Sequence, residues 1–417
     1  MKQTTQTCRI ADIAEKVAMG PFGSNIKVET FVPAGVPIIS GAHLKGFYVE
    51  EDSFNYITEE HAQRLKNSIV YPGDIIFTHA GTVGQAAMIP YNCHYPYYMI
   101  SQRQFYLRCD KKKVLPEYLV YYFHSHEGQG KLLSNVSQVG VPSIAQPSSF
   151  LKKIEVPLPS LETQRRIVGI LDSFTKKIEV NNKINRNLEE QAKAIFKSWF
   201  VDFEPFQNGE SVDSELGRIP KGWNISSLSN IASFLNGLAM QKYRPEEDDA
   251  GLPVLKIKEL HQGYCDTNSD RCSLEIPEQY IIRDGDVVFS WSGTLLVDFW
   301  CGGECGLNQH LFKVTSEKYD KWFYFLWISH HLAEFSAIAE GKATTMGHIK
   351  REHLDQAKVL LPSASDYNRL SSVLKPLYDQ IVLNKIESKK LALLRDTLLP
   401  KLMSGETFLK EETYGRE

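Results

Sequence analysis

Length, composition and charge describe a globular protein with room for two or three domains. The 417 residues are 42% hydrophobic and 23% charged, with a formal net charge of −3. A protein that only coats nucleic acid is usually basic, so a nucleic-acid role here requires local patches or a partner. We expect no signal peptide and no membrane-spanning helix, because no stretch approaches about 20 apolar residues. Seven dispersed cysteines predict reduced thiols in a cytoplasm.

The N-terminal segment is predicted to be a mixed α/β domain that ends at residue 157. Apolar patterns and turn residues indicate a helix at 10–17, strands at 36–40, 75–78, 103–108 and 154–156, and an aromatic helix at 117–124. Glycine and proline break the chain at 19–25, and a polar loop covers 134–149. Pro157 and Pro159 then form a hinge before a long helix.

That long helix is the most regular feature of the sequence. From Ile167 to Trp199, the seam positions recur every three or four residues without a proline. At about 1.5 Å per residue the rod is roughly 50 Å long, and its apolar stripe requires a partner helix. Asn181 and Asn185 interrupt the stripe, and polar residues at such positions often fix the register of a helix pair.

A matching seam in residues 370–402 supplies the partner from the same chain. It repeats both the apolar ends and the polar middle at an offset of 203 residues. The predicted polar layer of the pair consists of Asn181, Asn185, Asn384 and Ser388. Two seams with matching polar layers predict an intramolecular antiparallel coiled coil, since each helix buries the stripe of the other. The alternative is a pair of amphipathic helices packed on separate domains.

Three residues complicate the second helix. Arg395 breaks the apolar seam, although its neighbour Leu394 can take that position. Pro376 predicts a kink or a late start, because proline lacks the N–H group that an interior helical residue donates. Pro400 predicts that the helix ends close by.

The first domain recurs in the second half of the chain. The segment Gly73-Asp-Ile-Ile-Phe-Thr78 returns as Gly285-Asp-Val-Val-Phe-Ser290. Polar residues between the repeated motifs mostly differ, as expected of two similar scaffolds that read different targets. The predicted fold is α/β (α+β): two similar mixed α/β domains joined by two long helices in a pseudo-two-fold repeat. The predicted boundaries are 1–157 for domain 1, 158–203 for helix 1, 204–362 for domain 2 with a linker at 204–222, 363–403 for helix 2 and 404–417 for a tail.

The search for catalytic motifs is negative. The sequence has no Asn-Pro-Pro-aromatic segment of amino-methyltransferases, no convincing glycine-rich cofactor fingerprint and no HExxH zinc-protease motif. The stretch Gly341-Lys-Ala-Thr344 resembles the end of a phosphate loop, but Ser336 stands where that motif needs glycine. We therefore predict no catalytic residue. Free thiols are favoured over a zinc site for the loosely spaced Cys265, Cys272, Cys301 and Cys305.

Polar residues near the strand ends are the best candidates for binding. Arg, Gln and Asn make bidentate contacts with base edges, and Ser and Thr contact bases or phosphates. A solvated loop side chain is the alternative for each residue taken singly, whereas the whole set favours DNA binding. The candidates in the first domain are Thr78, His79, Thr82, Gln102, Arg103, Gln138 and Ser143. The candidates in the second domain are Ser290, Trp291, Ser292, Thr294, Gln309, His310, Lys342, Thr344, Thr345, His348 and Lys350.

Several short motifs follow one another in a distinctive order. They are Gly73-Asp-Ile-Ile, Gly81-Thr-Val-Gly84, Val156-Pro-Leu-Pro159, Gln164-Arg-Arg-Ile167, Phe196-Lys-Ser-Trp-Phe-Val-Asp-Phe203 and Ile219-Pro-Lys-Gly-Trp223. With these motifs and the duplicated plan, nearly the whole chain resembles the specificity (S) subunit of a type I restriction–modification enzyme. The second helix departs from the pattern, because it opens with Ser365-Asp-Tyr-Asn-Arg369 and contains Pro376.

The resemblance implies that each domain is a target recognition domain for one half of a split double-stranded DNA sequence, with the helices as spacer. It implies two methyltransferase (M) subunits and restriction (R) subunits as partners. S-adenosylmethionine, ATP and Mg²⁺ are then used by those partners, and this chain is non-catalytic and binds no cofactor. One alternative is a self-sufficient DNA-modifying or DNA-cleaving enzyme, which activity of the chain alone would reveal. Another is a coiled-coil adaptor without a DNA role, which salt-dependent DNA binding would exclude.

Overall fold

The computed structural model describes residues 6–137, 140–246, 250–341 and 347–405. The chain divides into two compact units, which we call unit 1 (residues 1–176 and 392–417) and unit 2 (residues 177–391). Within the described ranges, no helix combines the length and the apolar character needed to cross a bilayer. Each unit is built from a globular α/β part and from segments of two long helices.

Unit 1 is built mainly from short strands. Its strands are β1 (Gln6–Arg9), β2 (Ala14–Met19), β3 (Val36–Ile39), β4 (Asn55–Ile57), β5 (Ile69–Val70), β6 (Ile75–Thr78), β7 (Ala86–Met88), β8 (Tyr98–Ile100), β9 (Gln104–Cys109), β10 (Val136–Ser137), β11 (Ser143–Ile144) and β12 (Glu155–Leu158). Its helices are α1 (Ile10–Ile13), α2 (Glu59–Arg64), α3 (Pro116–His124), α4 (His126–Leu133) and α5 (Pro147–Lys153), before the long α6 (Leu161–Phe196).

Two four-stranded sheets organise unit 1. The antiparallel sheet has the order β2-β9-β6-β7, and the mixed sheet has the order β4-β3-β8-β5 with β3 and β8 parallel. β6 is buried along its whole length because both of its faces pack in core clusters, Ile75 and Phe77 in one and Ile76 in another, which explains its continuous apolar run. The aromatic helix α3 buries Tyr118, Tyr121 and Phe123 in the same core cluster as Phe77 of β6.

The predicted helix at 10–17 is wrong beyond its first turn. α1 ends at Ile13, and residues 14–19 form β2, which pairs with β9. Only Ile10 and Ile13 of α1 are buried. Pairing with a strand about ninety residues away thus outweighs the local apolar spacing that indicated a longer helix.

Unit 2 repeats the plan. Its strands are β13 (Ser211–Ser214), β14 (Gly217–Pro220), β15 (Asn224–Ser227), β16 (Ser233–Asn236), β17 (Leu252–Leu255), β18 (Arg271–Cys272), β19 (Ile281–Ile282), β20 (Val287–Ser290), β21 (Leu296–Phe299), β22 (Cys305–Leu307), β23 (Leu311–Thr315) and β24 (Lys358–Leu361). Its helices are α7 (Leu228–Ile231), α8 (Ile257–Gln262), α9 (Lys321–Glu340) and α10 (Arg351–Gln356), before the long α11 (Ala364–Met403).

The sheets of unit 2 have the same topology as those of unit 1. One has the order β16-β23-β20-β21 and the other the order β18-β17-β22-β19, with β17 and β22 parallel. The predicted internal repeat and the mixed α/β fold class are therefore confirmed. The stretch predicted as a linker contains structure, because β13 and β14 pair as a hairpin and Gly217 adopts the left-handed region at its turn.

The polar residues of the two long helices meet inside unit 2. Asn181 donates to Ser388 Oγ at 3.2 Å and to Glu387 Oε2 at 2.8 Å. Asn384 donates to Asn185 Oδ1 at 2.8 Å. The partner number falls as the number on α6 rises, so the helices run antiparallel, as predicted. Within unit 1 the other ends pack in one core cluster containing Ile167, Leu171, Leu399, Leu402 and Met403.

The expected late start of the second helix is wrong. α11 begins at Ala364 and continues through Pro376 and Pro400 to Met403. Pro376 is solvent-exposed, so water can hydrogen-bond to the carbonyl that proline leaves without an N–H partner.

Leu394 does not take the seam position. Its side chain is exposed, whereas the Arg395 guanidinium is largely buried and lies 4.6 Å from the centre of the Phe47 ring. A cation–π contact with an aromatic side chain of unit 1 explains why arginine occupies a position that is otherwise apolar.

Candidate nucleic-acid interface

Three segments of unit 1 meet at the ends of its central strands: residues 78–84, 101–104 and 140–144. We call them loop cluster 1. Ala80 and Ser143 form an antiparallel bridge. The Gly81 N–H donates to the Pro142 carbonyl at 3.1 Å, and the Ile144 N–H donates to the His79 carbonyl at 2.8 Å. The structure thus brings together predicted site residues that lie more than sixty positions apart in the sequence.

Gln102 and Arg103 are the exposed side chains of the turn before β9. The His79 N–H donates to the Arg103 carbonyl at 3.0 Å, which fixes the backbone of this turn. A Cβ atom on Gly81 would lie 3.3 Å from Arg103 Nη1, so the guanidinium lies directly over that glycine. An arginine and a glutamine held on a fixed turn can each form two parallel hydrogen bonds with a base edge.

His79 contributes a neutral ring to loop cluster 1. Burial lowers the pKa of the His79 imidazole below its ordinary value. Its Nε2 lies 3.2 Å from the Gln102 carbonyl, which can only accept, so Nε2 carries the proton in this contact. The half-buried ring therefore supports the turn that bears Gln102.

Thr78 lies in the interior, unlike the other described candidates of loop cluster 1. Its hydroxyl donates to Gln85 Oε1 at 3.0 Å, and Gln104 Nε2 approaches it at 3.4 Å. Gln85 in turn donates to the Gly41 carbonyl at 3.0 Å. Sequence reasoning missed both Gln85 and Gln104. The one available signal was that Gln104 directly follows the candidates Gln102 and Arg103. Thr82 is exposed, Ser143 is half-buried, and Gln138 lies outside the described residues.

Unit 2 holds the equivalent segments with the same three backbone contacts. Residues 290–294, 308–310 and 347–350 form what we call loop cluster 2. Ser292 and His348 form the antiparallel bridge. The Gly293 N–H donates to the Gly347 carbonyl at 2.9 Å, and the Ile349 N–H donates to the Trp291 carbonyl at 3.0 Å. The two units therefore share one loop framework.

Trp291 dominates loop cluster 2. Its indole N–H donates to Asn236 Oδ1 at 2.9 Å, a partner that the sequence did not reveal. Its ring centre lies 6.0 Å from that of His310 and 6.1 Å from that of His348. His310 is fixed further by Ser292 Oγ, 3.0 Å from its Nδ1. The result is a half-buried aromatic surface with polar groups at its edge, suited to contact with bases.

The remaining predicted residues of unit 2 fall into three groups. Ser290 and Ser292 are buried, and the Ser290 hydroxyl donates to the carbonyls of Ser292 and Thr294 at 3.1 and 2.9 Å. Thr294, His348 and Lys350 are exposed, and Gln309 is half-buried with its amide 3.4 Å from His310 Nε2. The residues outside the described part of the chain are Lys342, Thr344 and Thr345.

A basic cleft adjoins loop cluster 2 and was also missed. Its volume is about 490 Å³, and Arg244, Lys256 and Arg271 line it beside Asn308. Arg271 donates to the Gly251 carbonyl at 2.7 Å, and Lys256 pairs with Asp270. The three cations come from separate segments of the chain, so no local charge run marks the cleft in the sequence.

The cysteines of unit 2 do not form a metal centre. Cys272, Cys301 and Cys305 are buried, Cys265 is half-buried, and all are free thiols. Burial raises the pKa of Cys301 to about 11. Over the ranges that the structure describes, no three His, Cys, Asp or Glu residues are arranged to hold a metal ion.

Comparison with known proteins identifies relatives of this chain in sequence and in fold. The MjaIX type I restriction enzyme specificity subunit of Methanocaldococcus jannaschii is 28% identical over 97% of this chain and 93% of that protein. The HindI specificity subunit of Haemophilus influenzae is 22% identical over 74% of this chain and 81% of that protein. The crystal structure of a type I restriction–modification S subunit from M. genitalium shares the fold, with a TM-score of 0.56 and 15% identity over 95% of this chain and 96% of that one.

A family match extends over most of the sequence. The type I restriction modification DNA specificity domain matches residues 3–190 and 220–393, one match for each half of the internal repeat. The protein therefore belongs to the type I restriction–modification DNA specificity family, and it is a non-catalytic specificity subunit.

Proposed function

We propose that this specificity subunit reads a bipartite double-stranded DNA target, one half-site with each loop cluster. The observation that carries the proposal is the shared framework of three backbone contacts, which bears different exposed and half-buried side chains in the two units. Loop cluster 1 presents Gln102 and Arg103, whereas loop cluster 2 presents Trp291 and His310. Independent reading of two sequences requires a common scaffold with different side chains at its surface.

We assign the predicted site residues to two roles. The exposed and half-buried side chains contact DNA: Thr82, Gln102, Arg103, Ser143, Trp291, Thr294, Gln309, His310, His348 and Lys350. The half-buried His79 ring and the buried hydroxyls of Thr78, Ser290 and Ser292 position the loops, because their hydrogen bonds are already made within the protein. Lys350 suits a phosphate, since its ammonium is an exposed point charge. Gln138, Lys342, Thr344 and Thr345 remain predicted DNA contacts.

Residues 1–157 and 204–362 are then target recognition domains, and the helices at 158–203 and 363–403 are the spacer between them. Hydrogen bonds among Asn181, Asn185, Asn384 and Ser388 fix the helix register in this proposal. One extra heptad in each helix adds roughly 10 Å of rod, about three base pairs. We expect such a paired insertion beside the polar layer to widen the gap and leave both half-sites unchanged. An unchanged gap would contradict the spacer role.

The chemistry belongs to partners in this proposal. Two methyltransferase subunits dock on the specificity subunit, and restriction subunits join them, in a cytoplasmic complex. S-adenosylmethionine, ATP and Mg²⁺ are used by those partners. Support comes from family membership, which makes this chain the specificity component of a larger enzyme. A self-sufficient enzyme and a DNA-free adaptor are the competing functions, and neither has a specific observation in its favour.

Methylation-site mapping of DNA from cells with the intact system tests the proposal. We expect a split target with a fixed gap. Exchange of residues 1–150 for the first domain of another specificity subunit should change one half of that target. Changes in both halves would contradict independent reading. Methylation by the purified chain alone would instead favour a self-sufficient enzyme, and equal affinity for target and scrambled duplexes would favour the adaptor.

A further inference from the structure

We infer that Phe22 is an additional specificity-determining residue of unit 1, which makes an apolar contact with a base of its half-site. This inference rests on the proposed function. Phe22 is 74% exposed on the loop between β2 and β3. It belongs to none of the strand-end positions from which the candidate residues were drawn. Single exposed apolar residues are common, so the argument depends on how this ring is held and on what lies beside it.

The backbone fixes Phe22 in its exposed position. Gly20 and Pro21 are buried immediately before it, and Gly23 after it has a φ of +62°. The Asn25 side-chain amide donates to the Phe22 carbonyl at 2.7 Å. The Asn25 carbonyl lies 2.8 Å from Nε2 of His61 on α2. The loop is therefore anchored on both sides of a ring that faces solvent, so exposure is part of the fold.

The anchoring places Phe22 beside loop cluster 1. The Gly20 N–H donates to the Gln104 carbonyl at 2.8 Å, and a Cβ on Gly20 would lie 2.1 Å from the Ser101 carbonyl oxygen. Two residues of chain span at most about 7 Å, so the Phe22 backbone lies within that distance of Gly20. Gln102 and Arg103 directly follow Ser101. A duplex that contacts these two side chains therefore comes within reach of the Phe22 ring.

Unit 2 has no such ring at the equivalent place. Gly237 packs against the Asn308 and Leu307 carbonyls as Gly20 packs against the Ser101 carbonyl, and two residues later the chain has Ala239. Met240, which follows, is buried in a cluster with Val254 and Ile276. At this place unit 2 buries Met240 in its core, whereas unit 1 presents an aromatic side chain to solvent. Such a difference is expected of a residue that serves one half-site.

Two base surfaces accept an aromatic side chain. One is the methyl group of thymine in the major groove. The other is the face of a base at a partly unstacked step, into which apolar wedges insert. Both are apolar contacts that phosphate-binding side chains do not make. They differ in their response to DNA chemistry, because only the first depends on the thymine methyl and only the second opens the base stack.

The test uses the full chain in complex with its methyltransferase subunit and the duplex found by methylation mapping. Phe22→Ala should weaken binding of that duplex about 10- to 100-fold. Val28→Ala is the matched control, because Val28 is 80% exposed on the same segment but beyond the Asn25 anchor. Binding equal to wild type for Phe22→Ala would overturn the inference. So would an equal loss on a duplex whose first half-site is scrambled, since that marks a non-specific contact.

Two modified duplexes identify the surface contacted. Replacing each thymine of the half-site by uracil should reproduce the Phe22→Ala loss if the ring meets a methyl group. Fluorescence of 2-aminopurine should rise with wild type, and not with Phe22→Ala, if the ring opens a base step. Absence of both signals would overturn the assignment of an apolar base contact. Failure of the proposed function looks different, because wild type itself would then not distinguish the mapped duplex from a scrambled one.

Discussion

Loop clusters 1 and 2 have the same backbone contacts and different side-chain support. In unit 1 the buried Thr78 hydroxyl bonds to the Gln85 side chain, whereas in unit 2 the Ser290 hydroxyl bonds to main-chain carbonyls. Arg103 lies over Gly81 with its guanidinium exposed, but His310 is fixed by Ser292. The comparison teaches that the framework is set by backbone and glycine, so surface side chains can change without loss of the scaffold.

Substitution of the shared glycines should have the largest effect. A Cβ on Gly20 would lie 2.1 Å from the Ser101 carbonyl oxygen, and one on Gly237 would lie 2.2 Å from the Asn308 carbonyl oxygen. Because backbone must move in both cases, we expect Gly20→Ala and Gly237→Ala each to lower the free energy of unfolding by about 3 kcal/mol. Chemical denaturation measures this loss, and each variant should also lose recognition of one half-site only.

Gly169 provides the control for these substitutions. It lies inside α6, and a Cβ there would meet no atom within 4 Å. Gly169→Ala should leave recognition intact and raise the free energy of unfolding by up to about 1 kcal/mol, because alanine favours the helix. If only one of Gly20→Ala and Gly237→Ala lowers the free energy of unfolding strongly, the units do not share their framework.

The next largest effect is the loss of stability when the aspartate before the central strand is replaced, which should differ between the units. Asp74 accepts two hydrogen bonds from the Arg108 guanidinium, at 2.8 and 2.6 Å, whereas its counterpart Asp286 forms ion pairs with Lys313 at 2.9 Å and with Lys321 at 3.9 Å. Lys313 also donates to the Ile281 carbonyl at 2.9 Å, so it keeps a partner if Asp286 is lost. We expect Asp74→Asn to cost about 2–3 kcal/mol and Asp286→Asn about 1 kcal/mol. Urea unfolding measures both losses of free energy, and equal values would show that the two aspartates contribute equally to stability.

The sequence predicted the features that depend on local periodicity. The heptad seams gave the antiparallel helices, because Asn181 and Asn384 repeat within equivalent patterns. Local spacing does not predict features that depend on distant pairing. It indicates a helix at 14–17, where β2 pairs with β9, and it makes Arg395 a poor seam residue because Phe47, its partner, is nearly 350 residues away. Apolar spacing cannot report such contacts.

The convergence of the candidate site residues follows from the sequence, whereas the orientation of the individual side chains does not. Polar residues at strand ends do converge, because the repeated strands place their loops together. Thr78 and Ser290 nevertheless point inward, since a hydroxyl at a strand end serves a buried hydrogen bond as readily as a solvent contact. Asn236 and Gln85 support the loops from other segments, and nothing in their local sequence marks that role.

Replacing the ring at equivalent positions of the two loop clusters tests whether each surface serves one half-site. Trp291→Ala removes a ring near His310 and His348 and should reduce affinity for the second half-site about tenfold. His79→Ala at the equivalent position removes only the support of Gln102, so a smaller loss at the first half-site is expected. Titration of each complex with duplexes altered in one half-site measures both effects. A loss by Trp291→Ala at the first half-site would contradict the separation of the two surfaces.

The smallest expected effect concerns acid sensitivity of a turn after β3. In unit 1 the Ser40 N–H donates to His43 Nδ1 at 2.9 Å, whereas in unit 2 the Lys256 N–H donates to Glu259 Oε2 at 3.3 Å. Burial lowers the pKa of His43 from its ordinary 6.5, despite the opposing charge of Glu50. The unfolded chain therefore binds the proton first as the pH falls, and stability from this site is lost below about 6.5.

His43→Gln keeps an acceptor for the Ser40 N–H and removes the titrating ring. We expect wild type to lose about 1 kcal/mol more stability than this variant between neutral and mildly acidic pH, roughly the value of the hydrogen bond that protonation breaks. Urea unfolding at both pH values measures the difference, with Glu259→Gln as the control in unit 2. Because Glu259 accepts the equivalent bond in the other unit, its replacement should not alter the histidine-dependent slope. Parallel pH dependence of wild type and His43→Gln would show that this ring does not distinguish the two units.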